Sequence, residues 1–412
     1  MSLTSRRNPG VLRYYTATLG IPISAKHSPC AEGTAGFYLS AGGDDKNIYL
    51  VTSRHVVLPV DKDNREYECT STSNAREDVV VLGTSGFNKK LAAIDYDIEG
   101  QESAIIDAKE RIELVEGEDD PESLRERKDA ERCLQKAEKG LRGLTELCHE
   151  IATQWGEKEK RVIGELVWAP PILLSTDPGQ YTMDLAVIKT DAGKLDAENY
   201  RGNSINIGNK YSRYQFIKKV YLHPTSPTSF KFPADRIVTL QDQVPESDLV
   251  RPPMLDANGD SCLVVFENGA KAGTTIGRAN NVSSYTRKYF AGQYRESREW
   301  PVIPTNKHSG AFSAKGDSGS CVADAFSHIG GILNGGTANP NVTDFAGPRL
   351  GGHPEPMSAG WSLRPRRGRG RREYRLVFVI VASLVLRTIE HVHIALLPSV
   401  FAPFVICLFC TE

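Results

Sequence analysis

315-KGDSGSCV-322 places a serine between Gly-Asp and Gly-Ser and runs at once into apolar residues. Such a stretch is either a turn that feeds a strand or the nucleophile loop of a hydrolase. The first reading needs only a β-rich surrounding. The second also needs a base, an orienting acid and a rigid frame from elsewhere in the chain. Gly316 permits a turn that points its own N–H and that of Ser318 the same way, as an oxyanion requires, while Gly319 leaves room for a substrate.

The surroundings are β-rich. On either side of the loop lie 262-CLVVFENG-269, 273-GTTIGRANNV-282, 321-CVAD-324 and 329-IGGILNGGT-337. Earlier come 161-RVIGELVWAPPILL-174 and 181-YTMDLAVIK-189. Near the start, Ala35–Leu39 and Ile48–Thr52 flank the turn-rich SAGGDDKN, a hairpin pattern. Residues 30 to 99 as a whole read as short strands. Many such runs, punctuated by 36 glycines and 23 prolines, predict a barrel or sandwich.

One region breaks that texture. Between 101 and 160 the chain is rich in Glu, Lys, Arg, Ala and Leu. Ile105, Ala108, Ile112 and Val115 are spaced 3-4-3, and Leu134, Ala137, Leu141, Leu144, Cys148, Ile151 and Trp155 continue as a heptad seam. Asp120 before Pro121 makes an N-cap and first-turn pair, and Gly140 and Gly143 weaken the second helix. The pattern predicts an antiparallel helical hairpin packed on its own seam, either a self-contained insertion or a surface for a protein partner.

Bulk composition narrows the classes. With 412 residues, 40 % of them hydrophobic, there is material for a large core and two domains. A net charge of −1 supplies no global field, so no nucleic-acid partner is expected. The start lacks an apolar h-region, which predicts an intracellular, cytoplasmic protein. The eight scattered cysteines then read as small buried hydrophobes, and Cys407-x-x-Cys410 is a single pair, so neither metal nor cofactor is called for. After residue 346 come the basic run 364–372, which reads as a linker, and two apolar stretches, 376–386 and 394–410. The first is too short to span a bilayer, and the second is at the lower limit with two prolines, so a membrane tether is not expected.

A base and an acid are available. Of nine histidines, His55 ends the apolar run 48-IYLVTSRHVVLP-59, whereas His149 lies in the heptad region and His391 and His393 in the tail. Asp184 precedes an apolar strand in 181-YTMDLAVIK-189; Asp95 and Asp97 compete with it but abut the charged helical region.

The segments TAGFYL…YLVTSRHVV, MDLAVIK and KGDSGSCV…IGGILNGG, in this chain order, resemble the chymotrypsin-like (trypsin-like) serine proteases. GTTIGRANNV is similar to a second-barrel strand of bacterial, viral and fungal members. The resemblance covers roughly residues 30–99 and 161–340. It implies a mainly β fold of two packed antiparallel barrels and a serine endopeptidase acting on a polypeptide. It assigns Ser318 as nucleophile, His55 as general base and then acid, and Asp184 as its orienter. The N–H groups of Gly316 and Ser318 would form the oxyanion hole. Asn334, Gly335 and Gly336 would pair with substrate backbone, and Phe312, six before the serine, would lie at the base of the P1 pocket.

Four departures accompany it. His55 and Asp184 are 184 − 55 = 129 residues apart, the excess being the helical insertion. No Ile-Val-Gly-Gly activation site occurs near the start, so a switch through Asp317 is not evident. Ser320 replaces the more frequent second glycine. The closing strand and terminal helix of the family are not recognisable after 346. The expected organisation is therefore a first-barrel segment (1–99), the hairpin (100–160), the rest of the first barrel with the second (161–346), and a basic linker with an apolar tail (347–412). The alternative function is an inactive protease-like scaffold that holds partners on the hairpin.

Overall fold

Runs of β-branched and aromatic residues, cut short by glycine and polar turns, fold into strands of two to twelve residues. The computed structural model describes residues 18–42, 45–58, 64–69, 76–176, 181–195, 200–227, 230–279, 282–290, 293–306, 308–336, 344–346 and 395–396. In the first half lie β1 (Pro22–Ala25), β2 (Gly33–Thr34), β3 (Phe37–Gly42), β4 (Asp45–Thr52), β5 (Tyr67–Glu68) and β6 (Asp78–Val81). They are followed by β7 (Val162–Ala169), β8 (Leu173–Thr176), β9 (Tyr181–Met183) and β10 (Ala186–Thr190). A small hairpin, β11 (Ser204–Asn206) with β12 (Ile237–Thr239), belongs to the connection. The second half holds β13 (Met254–Leu255), β14 (Ser261–Gly269), β15 (Gly273–Ala279), β16 (Ser284–Phe290), β17 (Gln293–Pro304), β18 (Cys321–Asp324), β19 (Ile329–Gly336) and β20 (Asp344–Ala346). β21 (Ala395–Leu396) adds to the edge of β3.

Both halves curl into closed rings. In the first, β1, β6, β7, β10, β4 and β3 pair in succession, all antiparallel. Closure runs through residues 33 to 37: β2 pairs with β1, Ala35 N–H donates to Ile21 O (2.8 Å), and Gly36 N–H donates to Val51 O (2.9 Å). In the second, β14, β15, β17, β20, β19 and β18 pair in succession, and β18 returns to β14 through Val265–Asp324 and Phe266–Ala323. Numbered by chain position within each ring, both read first, second, third, sixth, fifth, fourth. The chain thus builds one Greek-key barrel twice.

The strand that closes the second barrel lies just inside the boundary at 346. β20 pairs with β17 on one side and β19 on the other, so nothing after 346 is needed to complete the ring. Three residues, Asp-Phe-Ala, are too short a run for a periodic signal. The basic run 364–372, the stretch 376–386 and the Cys407–Cys410 pair lie outside the described residues. Among the described residues no helix is long and apolar enough to cross a membrane.

β14 joins the two cores. Its alternate side chains face opposite ways, as strand geometry dictates. Cys262, Val264 and Phe266 enter a cluster with Leu50, Val51, Trp168 and Val187, while Leu263 and Val265 enter one with Trp300, Val302, Phe312 and Leu333.

The helical hairpin leaves the first barrel between β6 and β7. α1 (Arg54–Val57) is a single turn; α2 (Thr84–Leu114) and α3 (Pro121–Trp155) form the hairpin; α4 (Arg213–Val220) and α5 (Glu246–Val250) follow. α2 begins inside the region that the sequence assigns to strands. Its first turns carry Phe87, Leu91, Ile94 and Ile98, spaced 4-3-4, and these side chains dock on the first-barrel core. Asp120 caps α3 as expected, its carboxylate accepting from the N–H groups of Glu122 (2.9 Å) and Ser123 (3.1 Å). Ala108, Ala130, Ala137, Leu144 and Ile151 are buried on the seam.

Candidate active site

His55 follows the end of β4 rather than lying in it. After Thr52 the chain turns through Ser53 into α1, where Val56 and Val57 are buried and the His55 side chain is 26 % exposed. Asp184 occupies the short gap between β9 and β10 and is 4 % exposed. The two meet by two bonds. His55 N–H donates to Asp184 Oδ1 (3.2 Å), and Nδ1 lies 2.6 Å from Oδ2. A carboxylate partner makes Nδ1 the protonated nitrogen and leaves the Nε2 lone pair available as a base. The competing acids are elsewhere: Asp95 accepts from Cys148 Sγ (3.7 Å) on the hairpin, and Asp97 is exposed on α2.

The Ser318 loop is wedged against the segments that flank this pair. Gly319, at φ +90°, sits where an added Cβ would fall 2.2 Å from Thr52 Oγ1 and 2.3 Å from Thr34 O, so only glycine fits. Gly316, at φ +109°, is likewise in the left-handed region. Thr34, from the first barrel, clasps the loop. Its Oγ1 donates to Gly316 O (2.9 Å) and accepts from Ala270 N–H (3.0 Å), while its N–H donates to Ser318 O (2.8 Å). With both carbonyls turned to Thr34, the N–H groups of Gly316 and Ser318 donate to no protein acceptor among the described residues. Two unpaired donors in one glycine-containing loop can stabilise a developing oxyanion. Ser318 makes no hydrogen bond to His55, a contact that catalytic pairs often tighten only when substrate binds.

Asp317 anchors the loop from beneath. Its carboxylate accepts from the N–H groups of Lys271 (2.7 Å), Ala272 (3.2 Å) and Ala314 (2.7 Å). Burial pushes this carboxyl up from its ordinary value, and the three N–H groups oppose that rise. The carboxylate is thus satisfied by Lys271 and Ala272 of the β14–β15 turn and by Ala314 just before it in its own loop. Ser320 has a partner too: its hydroxyl donates to Glu267 Oε2, both residues being fully buried.

Arg54 lies under the pair and is 6 % exposed. Nη1 donates to Ala169 O (2.8 Å) and Pro170 O (3.0 Å), and Nη2 to Arg65 O (2.7 Å). Burial lowers its pKa, and the charge of Asp184 opposes that shift. Arg54→Met keeps an apolar stem but strips these carbonyls of a charged donor. It is expected to cost about 3 kcal/mol, read from the chemical-denaturation midpoint, whereas Arg54→Lys recovers part of the loss.

Of the other expected site residues, Asn334 is beside the loop: Ser53 Oγ donates to Asn334 Oδ1 (3.0 Å) and Leu333 O (3.2 Å). β20 takes one edge of Gly335 and Gly336. On the opposite edge, pairing with the loop ends at Leu333, which accepts from Gly319 N–H (2.6 Å) and donates to Ser320 O (2.9 Å). Phe312 is placed differently from the expectation. It is 1 % exposed in the second-barrel core, its ring against Gly277, so as packed it forms no wall for a substrate side chain. A large aromatic on the loop between β17 and β18 gains more from core burial than from lining an open pocket.

Thr34, Ser53, Arg54 and the Asp317 acceptor role were not legible in the sequence; the one signal was a charge, Arg54, beside a histidine in an apolar run. No group of three or more metal-ligating side chains is assembled among the described residues.

No family model matches the chain, and no curated protein matches it. Solved structures do. A glutamic-acid-specific serine protease that uses a histidine triad in substrate binding is 11 % identical at a TM-score of 0.32, covering 80 % of this chain and 92 % of that one. The Rv3671c protease of M. tuberculosis in its active form is also 11 % identical, at a TM-score of 0.26, covering 84 % and 81 %. A Ser343Ala mutant of Rv3671c in its inactive form gives 0.24 at 11 % identity, covering 84 % and 87 %. At such scores the fold rests on the repeated strand order within this chain.

Proposed function

We propose that the chain is a serine endopeptidase that cleaves polypeptides through an acyl-enzyme on Ser318. His55 Nε2 takes the Ser318 proton as Oγ attacks the scissile carbonyl, whose oxygen becomes an anion held by the N–H groups of Gly316 and Ser318. Collapse breaks the C–N bond, and His55 gives the proton to the leaving amine. Water, deprotonated by His55, then releases the acid and restores Ser318. Asp184 holds the imidazole and stabilises its charged form throughout. Among the described residues no strand pairs with Asn334–Gly336 on the edge away from β20, which suits an extended substrate backbone.

The observation that carries this reading is the two-point His55–Asp184 contact, formed beside a loop whose two oxyanion donors have no partner among the described residues. The test is reaction of the folded wild type with a fluorophosphonate, followed by mass spectrometry of the labelled peptide. A phosphonyl group on Ser318 is the expected result; a folded but unlabelled protein overturns the reading. That second outcome belongs to the scaffold alternative, which the missing His55–Ser318 hydrogen bond favours.

A further inference from the structure

The chain is nearly neutral overall, yet its charge is locally sorted. Between Glu198 and Asp235 lie Arg201, Lys210, Arg213, Lys218, Lys219 and Lys231 and no carboxylate. Between Arg111 and Arg125 lie Glu113, Glu116, Glu118, Asp119, Asp120 and Glu122 and no Lys or Arg. The first segment includes α4; the second is the tip of the hairpin.

On α4, Phe216 and Val220 face the core, which leaves the opposite side outward. Tyr214, 72 % exposed, and Lys218 lie four residues apart on that side, with Arg213 exposed and Lys219 half-buried on the flanks. Lys210 and Lys219 bracket the Tyr211 ring at 5.6 and 5.4 Å. Arg201, Arg213, Lys218, Lys219 and Lys231 have no carboxylate partner among the described residues. At the tip, all six carboxylates are exposed and none is ion-paired among the described residues; only Asp120 is employed, as a cap. The same tip exposes Leu114 (82 %) and Leu124 (46 %).

The two surfaces match in charge, and each carries an exposed apolar or aromatic anchor. Within one chain they stand apart. The last hairpin side chain joined to the barrel core is Ile98 on α2, so at about 1.5 Å per residue the tip stands roughly 24 Å beyond it. α4, by contrast, is packed into that core.

We infer that the hairpin tip of one molecule docks on the α4 face of a second, a head-to-tail contact between copies of this chain. The two faces differ, so the contact is heterologous and extends into rings or filaments. The inference does not depend on the peptidase reading. Multi-angle light scattering across a concentration series tests it, at about 25 mM and about 500 mM NaCl, where screening lengths differ severalfold. Wild type is expected to gain mass with concentration at low salt and to be monomeric at high salt. The face reversal R213E/K218E/K219E and the tip reversal E116K/E118K/D119K, each verified as folded by circular dichroism, should each weaken association at least tenfold. Mixing the two should restore it, because each reversed surface then meets its complement. A wild type that is monomeric at low salt, or a mixture that stays monomeric, overturns the inference. So does a monomer whose α4 face instead retains a single-stranded oligonucleotide or anionic vesicles, lost on R213E/K218E/K219E.

Discussion

Ser318→Ala is expected to lower kcat/KM on a peptide substrate by about 10⁶-fold while leaving the folded state unchanged. The two halves of that expectation have separate grounds. The Ser318 side chain is half-buried and forms no hydrogen bond among the described residues, so its hydroxyl contributes little to stability. The loop keeps its shape through backbone groups, Thr34 and Asp317, none of which the substitution touches. What disappears is the attacking oxygen. The Gly316 and Ser318 N–H groups survive, so a residual rate of about 10³ over water is expected from oxyanion stabilisation and binding alone. Hydrolysis and denaturation midpoint, measured on one preparation, check both parts. An unchanged midpoint with a rate loss under about tenfold would show that Ser318 is not the nucleophile.

The parts of this site legible in the sequence are those carried by local patterns. His55, Asp184 and Ser318 each sit in a short motif with its own apolar strand, and chain order related them before any contact was visible. The clasp could not be read this way. Thr34 bonds Gly316 across 282 residues, and Arg54 reaches Ala169 across 115, with no periodicity linking either pair. Seen locally, Thr34 is one more β-branched residue and Arg54 a charge that belongs on a surface. The helical start at Thr84 is masked by what precedes it: the strand run 78-DVVVL-82 leads into it across Gly83 alone, and the 4-3-4 spacing of Phe87, Leu91, Ile94 and Ile98 begins only after it. Phe312 misled for a related reason. A position defined by offset from a motif fixes the backbone address, and burial of a large ring then decides which way the side chain goes.

Asp184→Asn carries the second large effect, a fall in kcat of about 10⁴-fold with His55 and Ser318 both intact. The carboxylate now receives two donors from one residue, the His55 N–H at Oδ1 and the ring Nδ1–H at Oδ2. An amide has one acceptor oxygen. If that oxygen keeps the backbone N–H, the amide NH₂ faces Nδ1, which must then accept and pass its proton to Nε2. The imidazole is held in place in the wrong tautomer and cannot take the serine proton. The substitution also removes the negative charge that opposes the lowering of the Arg54 pKa in its buried site, so some loss of stability accompanies the loss of rate. Asp97→Asn supplies the control, since that carboxylate is exposed on α2 and its removal should leave turnover unchanged. If Asp184→Asn retains turnover within about tenfold of wild type, while Asp97→Asn does not, the acid is misassigned although the nucleophile stands.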